Sequence, residues 1–180
     1  RKGPKMCFNL YEVNTRGAIA RTGQYAVDGF PFAHDFALSD RYAIFFVNSI
    51  TMSGIGPVML GKQSISDGIG YDASRPMQII VVDLDTFAEV RRIDTEPGAI
   101  VHFGNSFEDG DEIVIDAMYS DNFEANEALS DIFNAVRLRG GEYRRFRVNV
   151  ATGAVKVEQM SPTNSEFPTF NLAMAGRRHG

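Results

Sequence analysis

Hydrophobic positions along this chain fall into short runs rather than long amphipathic stretches. The runs "CFNLYEV" (7–13), "RYAIFFV" (41–47), "QIIVVDL" (78–84), "EIVIDAMY" (112–119), "RFRVNV" (145–150) and "AVKVEQM" (154–160) are rich in β-branched and aromatic residues. Such residues favour the pleated, half-buried surface of a strand. Gly, Asn, Asp and Thr separate the runs and supply the turns. One segment reads differently: in "FEANEALSDIFNAVRLR" (123–139), Phe123, Leu129, Ile132, Phe133 and Val136 recur at spacings of three and four, as on one face of a helix. The pattern predicts an all-β protein with a short helical insertion near 123–139.

A repeat underlies the strands. "LYEVNTRGAIA", "VVDLDTFAEVR" and "RVNVATGAVKV" share an order of strand, short polar turn and strand, and their threonines, Thr15, Thr86 and Thr152, lie 71 and 66 residues apart. Self-similarity at that spacing, built from antiparallel strands, points to an array of small sheets, for which a β-propeller blade lengthened by loop insertions is the natural unit. Residues 1–180 are expected to form about two to three blades of one domain.

Polar residues fall in register with this repeat. Thr15 precedes His34 by 19 residues, Thr86 precedes His102 by 16, and Thr152 precedes Glu166 by 14. Each hairpin is thus followed by one ionisable group in an apolar setting: "FAHDF", "IVHFGN" and "SEFPTF". Equivalent positions on successive blades point at one central axis, so two histidines and a glutamate there form a metal-site constellation. Neutral imidazole suits Fe, Zn or Cu, and the carboxylate can either ligate directly or orient a ligating imidazole. Asp35, beside His34, is read as a partner for backbone or a neighbouring strand. "EDGDE" (108–112) is read as a tight turn with Gly110 at positive φ.

Composition narrows the function classes. A formal net charge of −5, a pI near 5.2 and no run of Lys or Arg beyond two exclude a nucleic-acid footprint. The single Cys7 rules out an internal disulfide framework and suits a reducing compartment, so a cytoplasmic location is expected. No apolar run is long enough to span a membrane and no signal peptide is visible. The chain opens on Arg1 and stops after the polar "GRRHG", so both ends read as cut.

"FAHDFALSDRYAIFF" resembles the HDF-plus-aromatic-strand motif of the carotenoid cleavage oxygenases. "PGAIVHFGNSFEDGDEIVIDA" resembles that family's H-x-x-N-[AS]-[FYW]-E-x-G-[DN] signature, and "SEFPTFN" followed by "GRRH" resembles its E-F-P and Gly-Arg elements. The motifs occur in the family's order and cover essentially the whole chain. Lignostilbene-cleaving enzymes share them.

The resemblance implies a seven-bladed propeller with a non-haem Fe(II) on its axis, held by four histidines that glutamates orient. On that basis His34 and His102 are the second and third metal ligands. Glu166 is a carboxylate hydrogen-bonded to a ligating imidazole rather than to the metal. The first and fourth histidines would lie outside this chain, which is expected to be a central piece of the catalytic domain, inactive alone; His179 is not read as a ligand. The implied reaction is cleavage of a conjugated C=C bond of a carotenoid, apocarotenoid or stilbenoid by O₂, giving aldehydes or ketones.

Phe32, Phe36, Phe103 and Phe107 flank the histidines, and Phe36 and Phe103 are the main candidates to line an apolar substrate tunnel. The stretch 49–70, carrying Ile50, Met52, Ile55, Val58, Met59, Leu60 and Ile65, is read as a long loop suited to peripheral membrane contact or to a hydrophobic substrate mouth. A retinyl-ester isomerohydrolase and a non-catalytic propeller that binds partners through its loops are the competing readings.

Overall fold

The computed structural model describes residues 6–125, 133 and 139–178. The segment 123–139 expected to be helical falls almost wholly outside the described residues, as does His179.

Strands β1 (Met6–Val13) and β2 (Ile19–Val27) form a hairpin. Strands β3 (Ala37–Leu38), β4 (Tyr42–Val47), β7 (Met77–Asp83) and β8 (Glu89–Thr95) form a four-stranded antiparallel sheet in the order β3-β4-β7-β8. Strands β9 (Ala99–Asp109), β10 (Glu112–Ser120), β11 (Gly141–Asn149) and β12 (Val155–Ser165) form another, in the order β12-β11-β10-β9. Each sheet is a meander with its first strand at one edge, and those two edges, β3 and β9, meet. Successive sheets meeting at their first strands is the arrangement of propeller blades around an axis. The described residues thus contain two four-stranded blades and an outer hairpin before them.

Burial explains why the middle blade reads as unbroken apolar sequence. Every residue of β4 is buried, and side chains alternate between its faces. Tyr42, Ile44 and Phe46 join Met77, Ile79 and Val81 in one core facing the β9–β12 blade. Ala43, Phe45 and Val47 join Ile80 and Val82 in a second core facing the β1–β2 hairpin. A strand covered on both faces gains nothing from alternation, so its sequence loses it. Phe46 lies 5.2 Å from Phe103 and 5.4 Å from Phe146 between ring centroids, which interlocks the two blades.

The repeat is present, with one correction to its alignment. In the β7–β8 turn the Asp83 carboxylate accepts from the Thr86 backbone N–H and hydroxyl, and Asn149 does the same for Thr152 in the β11–β12 turn. The β1–β2 turn is one residue shorter: Asn14 accepts instead from Arg16 and Ala18. The residues that correspond are therefore the left-handed positions Gly17, Phe87 and Gly153, not the three threonines.

Four residues after Gly17 and after Phe87 stand Arg21 and Arg91. Arg21 donates to the Leu84 and Asp85 carbonyls of the next blade's turn, at 2.8 and 2.5 Å. Arg91 donates to the equivalent Val150 and Ala151 carbonyls of the blade after it, at 2.8 and 2.5 Å. An equivalent outer-strand arginine thus clips the first hairpin to the middle blade and the middle blade to the one after it; the corresponding position of the third hairpin is Val157. A charge-assisted bond of this kind contributes on the order of 1.5–3 kcal/mol where it is shielded from water, and less where exposed.

The stretch 49–70 is not one loop. Strand β5 (Ile50–Met52) pairs with β6 (Ile69–Tyr71), and two short helices, α1 (Ile55–Met59) and α2 (Ile65–Gly68), lie between them. Ser64 and Asp67 form a reciprocal capping box at the start of α2. Ile50 is buried, whereas Ile55, Met59, Leu60 and Ile65 are exposed. Gly110, at the β9–β10 turn, has φ 64, as its sequence context predicts.

Candidate metal centre

His34 lies in the segment between β2 and β3, and His102 is the fourth residue of β9. The two imidazoles meet edge to face, with centroids 5.2 Å apart and planes at 87°. Residues 68 apart in sequence meet here because β3 and β9 are the inner edges of adjacent blades.

Two links, one through a buried asparagine and one through a half-buried aspartate, hold that meeting in register. Asn48, fully buried after β4, donates its Nδ2 to the Phe32 carbonyl at 3.1 Å and to the Ile100 carbonyl at 2.9 Å. Its Oδ1 accepts from the Ile100 N–H at 2.9 Å. Asp35 accepts from the Phe103 N–H at 3.2 Å and from the Phe36 N–H at 2.8 Å. Asp35 therefore binds backbone of its own segment and of the neighbouring strand, as its sequence reading expects.

Glu166 follows β12 directly, and its Oε2 lies 2.9 Å from the Nδ1 of His102. A carboxylate at that distance accepts a hydrogen bond from Nδ1–H of a neutral imidazole, which leaves the lone pair on Nε2 free for a cation. Phe167 adopts φ 56, a left-handed conformation that costs a non-glycine residue about 1–3 kcal/mol. Its ring lies 4.6 Å from that of His102. Strained backbone at this point turns the chain so that Glu166 and Phe167 both address one histidine.

A cavity of about 690 Å³ opens beside the histidines, within the range of small-molecule sites. His34, His102 and Glu166 line it, and its apolar wall comes from Phe32, Met118, Phe123 and Phe167. Phe32 and Phe123 pack edge to face at 5.2 Å. Tyr119 also lines the cavity; burial pushes its hydroxyl up to about 12, and that hydroxyl donates to the Pro97 carbonyl at 2.5 Å.

The two main tunnel candidates lie elsewhere. Phe103 is 7% exposed and packs in the inter-blade core against Phe46. It follows His102 in a strand, so the two side chains leave opposite faces. Phe36 stacks on Phe45 at 5.3 Å and does not line this cavity. Phe107 is likewise buried. Phe32, from the same expected set, does line the cavity, together with Phe123 and Phe167. Glu108, within the signature motif, is committed to structure: it accepts from the Ser39 hydroxyl at 2.6 Å and the Arg41 N–H at 3.0 Å.

Among the described residues no group of three or more His, Cys, Asp or Glu converges as a complete metal site. The donor set that is present does fit part of one. Two imidazoles face each other, and one has its Nδ1 occupied by a carboxylate, the usual outer contact of a metal-bound histidine.

Comparison with known proteins supplies the context. Residues 2–180 match the family described as retinal pigment epithelial membrane protein. The apocarotenoid-15,15'-oxygenase of Synechocystis sp. is 29% identical over 172 residues, covering 94% of this chain and 35% of its own length. A chloroplastic 9-cis-epoxycarotenoid dioxygenase of Oryza sativa subsp. japonica is 29% identical over 153 residues, covering 82% of this chain and 22% of its own. The crystal structure of cobalt-substituted Synechocystis ACO superposes with a TM-score of 0.80 at 28% identity, over 95% of this chain and 36% of that one. The chain thus spans about a third of the relatives' length or less.

If Glu166 orients His102 for a metal, Glu166→Ala weakens binding of a divalent transition metal about 10- to 100-fold. Glu166→Gln, which keeps an acceptor for the Nδ1–H, weakens it less. Competition against a chromophoric chelator measures both; affinities equal to the unmodified protein's would contradict this role.

Proposed function

This chain belongs to the retinal pigment epithelial membrane protein family, whose matched relatives are carotenoid-cleaving oxygenases, and from that membership we propose that the intact protein cleaves a conjugated C=C bond of a carotenoid or apocarotenoid with O₂. In this reading residues 1–180 are a central part of one propeller-shaped catalytic domain. A non-haem Fe(II) is the cofactor, with His34 and His102 as two of its ligands. The observation that carries the reading is the His102–Glu166 bond at the mouth of an apolar cavity, with His34 facing the same ring.

Bound Fe(II) supplies the electrons that O₂ needs for activation, which zinc, without redox chemistry, cannot do. The residues of this chain do the rest. His34 and His102 present neutral imidazole nitrogens, and Glu166 fixes the tautomer and ring angle of His102. Phe32, Phe123, Phe167 and Met118 give the polyene an apolar wall and keep water from it. One C=C and one O₂ become two C=O groups, so the reaction consumes no external reductant and requires no general acid or base from this chain.

A loop-binding scaffold has no use for a carboxylate behind a cavity-facing histidine, which favours the enzyme. A stilbenoid would undergo the same chemistry in the same cavity, so substrates of both classes belong in the test. Incubation of the purified intact protein with apocarotenals and with stilbenes, with and without O₂, should give aldehyde products only when O₂ is present, and with ¹⁸O₂ the label should enter the carbonyl groups. Product formed equally without O₂, or no turnover of either class by iron-loaded protein, would contradict the proposal.

A polyene must be drawn from lipid, and the β5–β6 connection provides a surface for that. Met59 is 80% exposed, and Leu60, Ile55 and Ile65 lie exposed beside it. We read these side chains as a peripheral contact with a membrane surface. No helix of the described residues is long and apolar enough to cross a membrane. Co-sedimentation with phosphatidylcholine vesicles should fall in a Met59→Glu, Leu60→Glu variant; unchanged sedimentation would remove this contact from the account.

A further inference from the structure

We propose that Asn48 is a positioning residue for the metal centre, acting through the backbone on both sides of the two histidines. The inference rests on His34 and His102 being metal ligands. Asn48 lies outside the family-like motifs that single out the histidines, and its side chain does not line the cavity. It spans the gap between the two ligand-bearing segments. Its Nδ2 donates to the carbonyls of Phe32, two residues before His34, and of Ile100, two residues before His102, and its Oδ1 accepts from the Ile100 N–H. Asp35 closes the opposite side: one residue after His34, it holds the N–H of Phe103, one residue after His102. Each histidine is therefore bracketed by hydrogen bonds that tie its segment to the other's.

Such a bracket matters because the other side-chain links between these segments, Ser106 to the Leu38 carbonyl and Glu108 to Ser39 and Arg41, lie further along the chain than the histidines themselves. His34 belongs to an irregular segment rather than to a ladder. Its separation from His102 depends on how that segment seats against β9. Binding one cation with two imidazoles requires that seating to be fixed before the metal arrives, since any freedom left in it must be lost on coordination. Asn48 is 0% exposed, and its amide uses one acceptor and both donor contacts across the gap. Alanine there leaves the Phe32 and Ile100 groups without this partner in a buried position.

A purely structural role would also lower stability, so the test needs a matched control, a buried asparagine on the strand that carries His102. Asn105, 3% exposed on β9, braces Met174, Gly176 and Arg177 in the same manner but away from the histidines. Co(II) titration of the intact apoprotein, followed by the visible absorption of the bound ion, is to be compared for Asn48→Ala, Asn105→Ala and His102→Ala. The proposal expects Asn48→Ala to weaken Co(II) binding about 10- to 100-fold and to shift its absorption bands. Asn105→Ala should lose thermal stability but keep both affinity and spectrum. Equal effects in the two asparagine variants, or none in Asn48→Ala, would overturn it. If Asn48→Ala does not fold, Asp35→Ala, which cuts the opposite link, is read by the same criteria. A normal spectrum and affinity in His102→Ala would instead sink the metal reading, leaving the bracket as structure alone.

Discussion

The interlocking of two blades through Phe46, Phe103 and Phe146 is the constraint on which the remaining structure depends. Those rings close the space between the β3-β4-β7-β8 and β12-β11-β10-β9 sheets. Fully burying each contributes on the order of 1.5–3 kcal/mol. With the faces fixed, the inner edges β3 and β9 have to meet. At the rim, arginines grip the next turn's carbonyls at equivalent positions, so the blades are pinned both inside and outside.

The site follows from that meeting of edges rather than from any local motif. His34 and His102 are neighbours because their segments flank the line where two blades touch, and the buried Asn48 and half-buried Asp35 links are drawn across that line. Glu166 arrives from the far end of the β12 strand, at the point where the chain turns away from the outer edge. The strained Phe167 supplies that turn and also an aromatic wall. Packing, backbone strain and a charged hydrogen bond thus converge on one imidazole.

What the sequence made legible, and what it concealed, divides along the same physical line. His34, His102 and Glu166 stand out because one ionisable group in an apolar sequence follows each hairpin turn, 14 to 19 residues after its threonine. Strands β4, β7 and β10 stand out because burial on both faces demands mostly apolar runs, which Gln78 and the buried Asp116 interrupt only singly. β9 did not read as a strand: Gly104, His102 and Asn105 interrupt its pattern, and its pairing with β10 shifts register. Phe103 misled for a simple reason, since adjacency in sequence means opposite faces in a strand. Asn48 carries no local signal, because "FFVNSI" reads as any strand end, and its three bonds go to residues 16 and 52 positions away.

The central claim is that His34 and His102 hold one iron between them. Iron content of the intact protein, measured by plasma mass spectrometry beside its His34→Ala and His102→Ala variants with fold checked by circular dichroism, tests it most directly. The account predicts about one iron per chain in the unmodified protein and its loss in both folded variants. Iron retained in either folded variant, or absent from the unmodified protein after reconstitution with Fe(II), would contradict it.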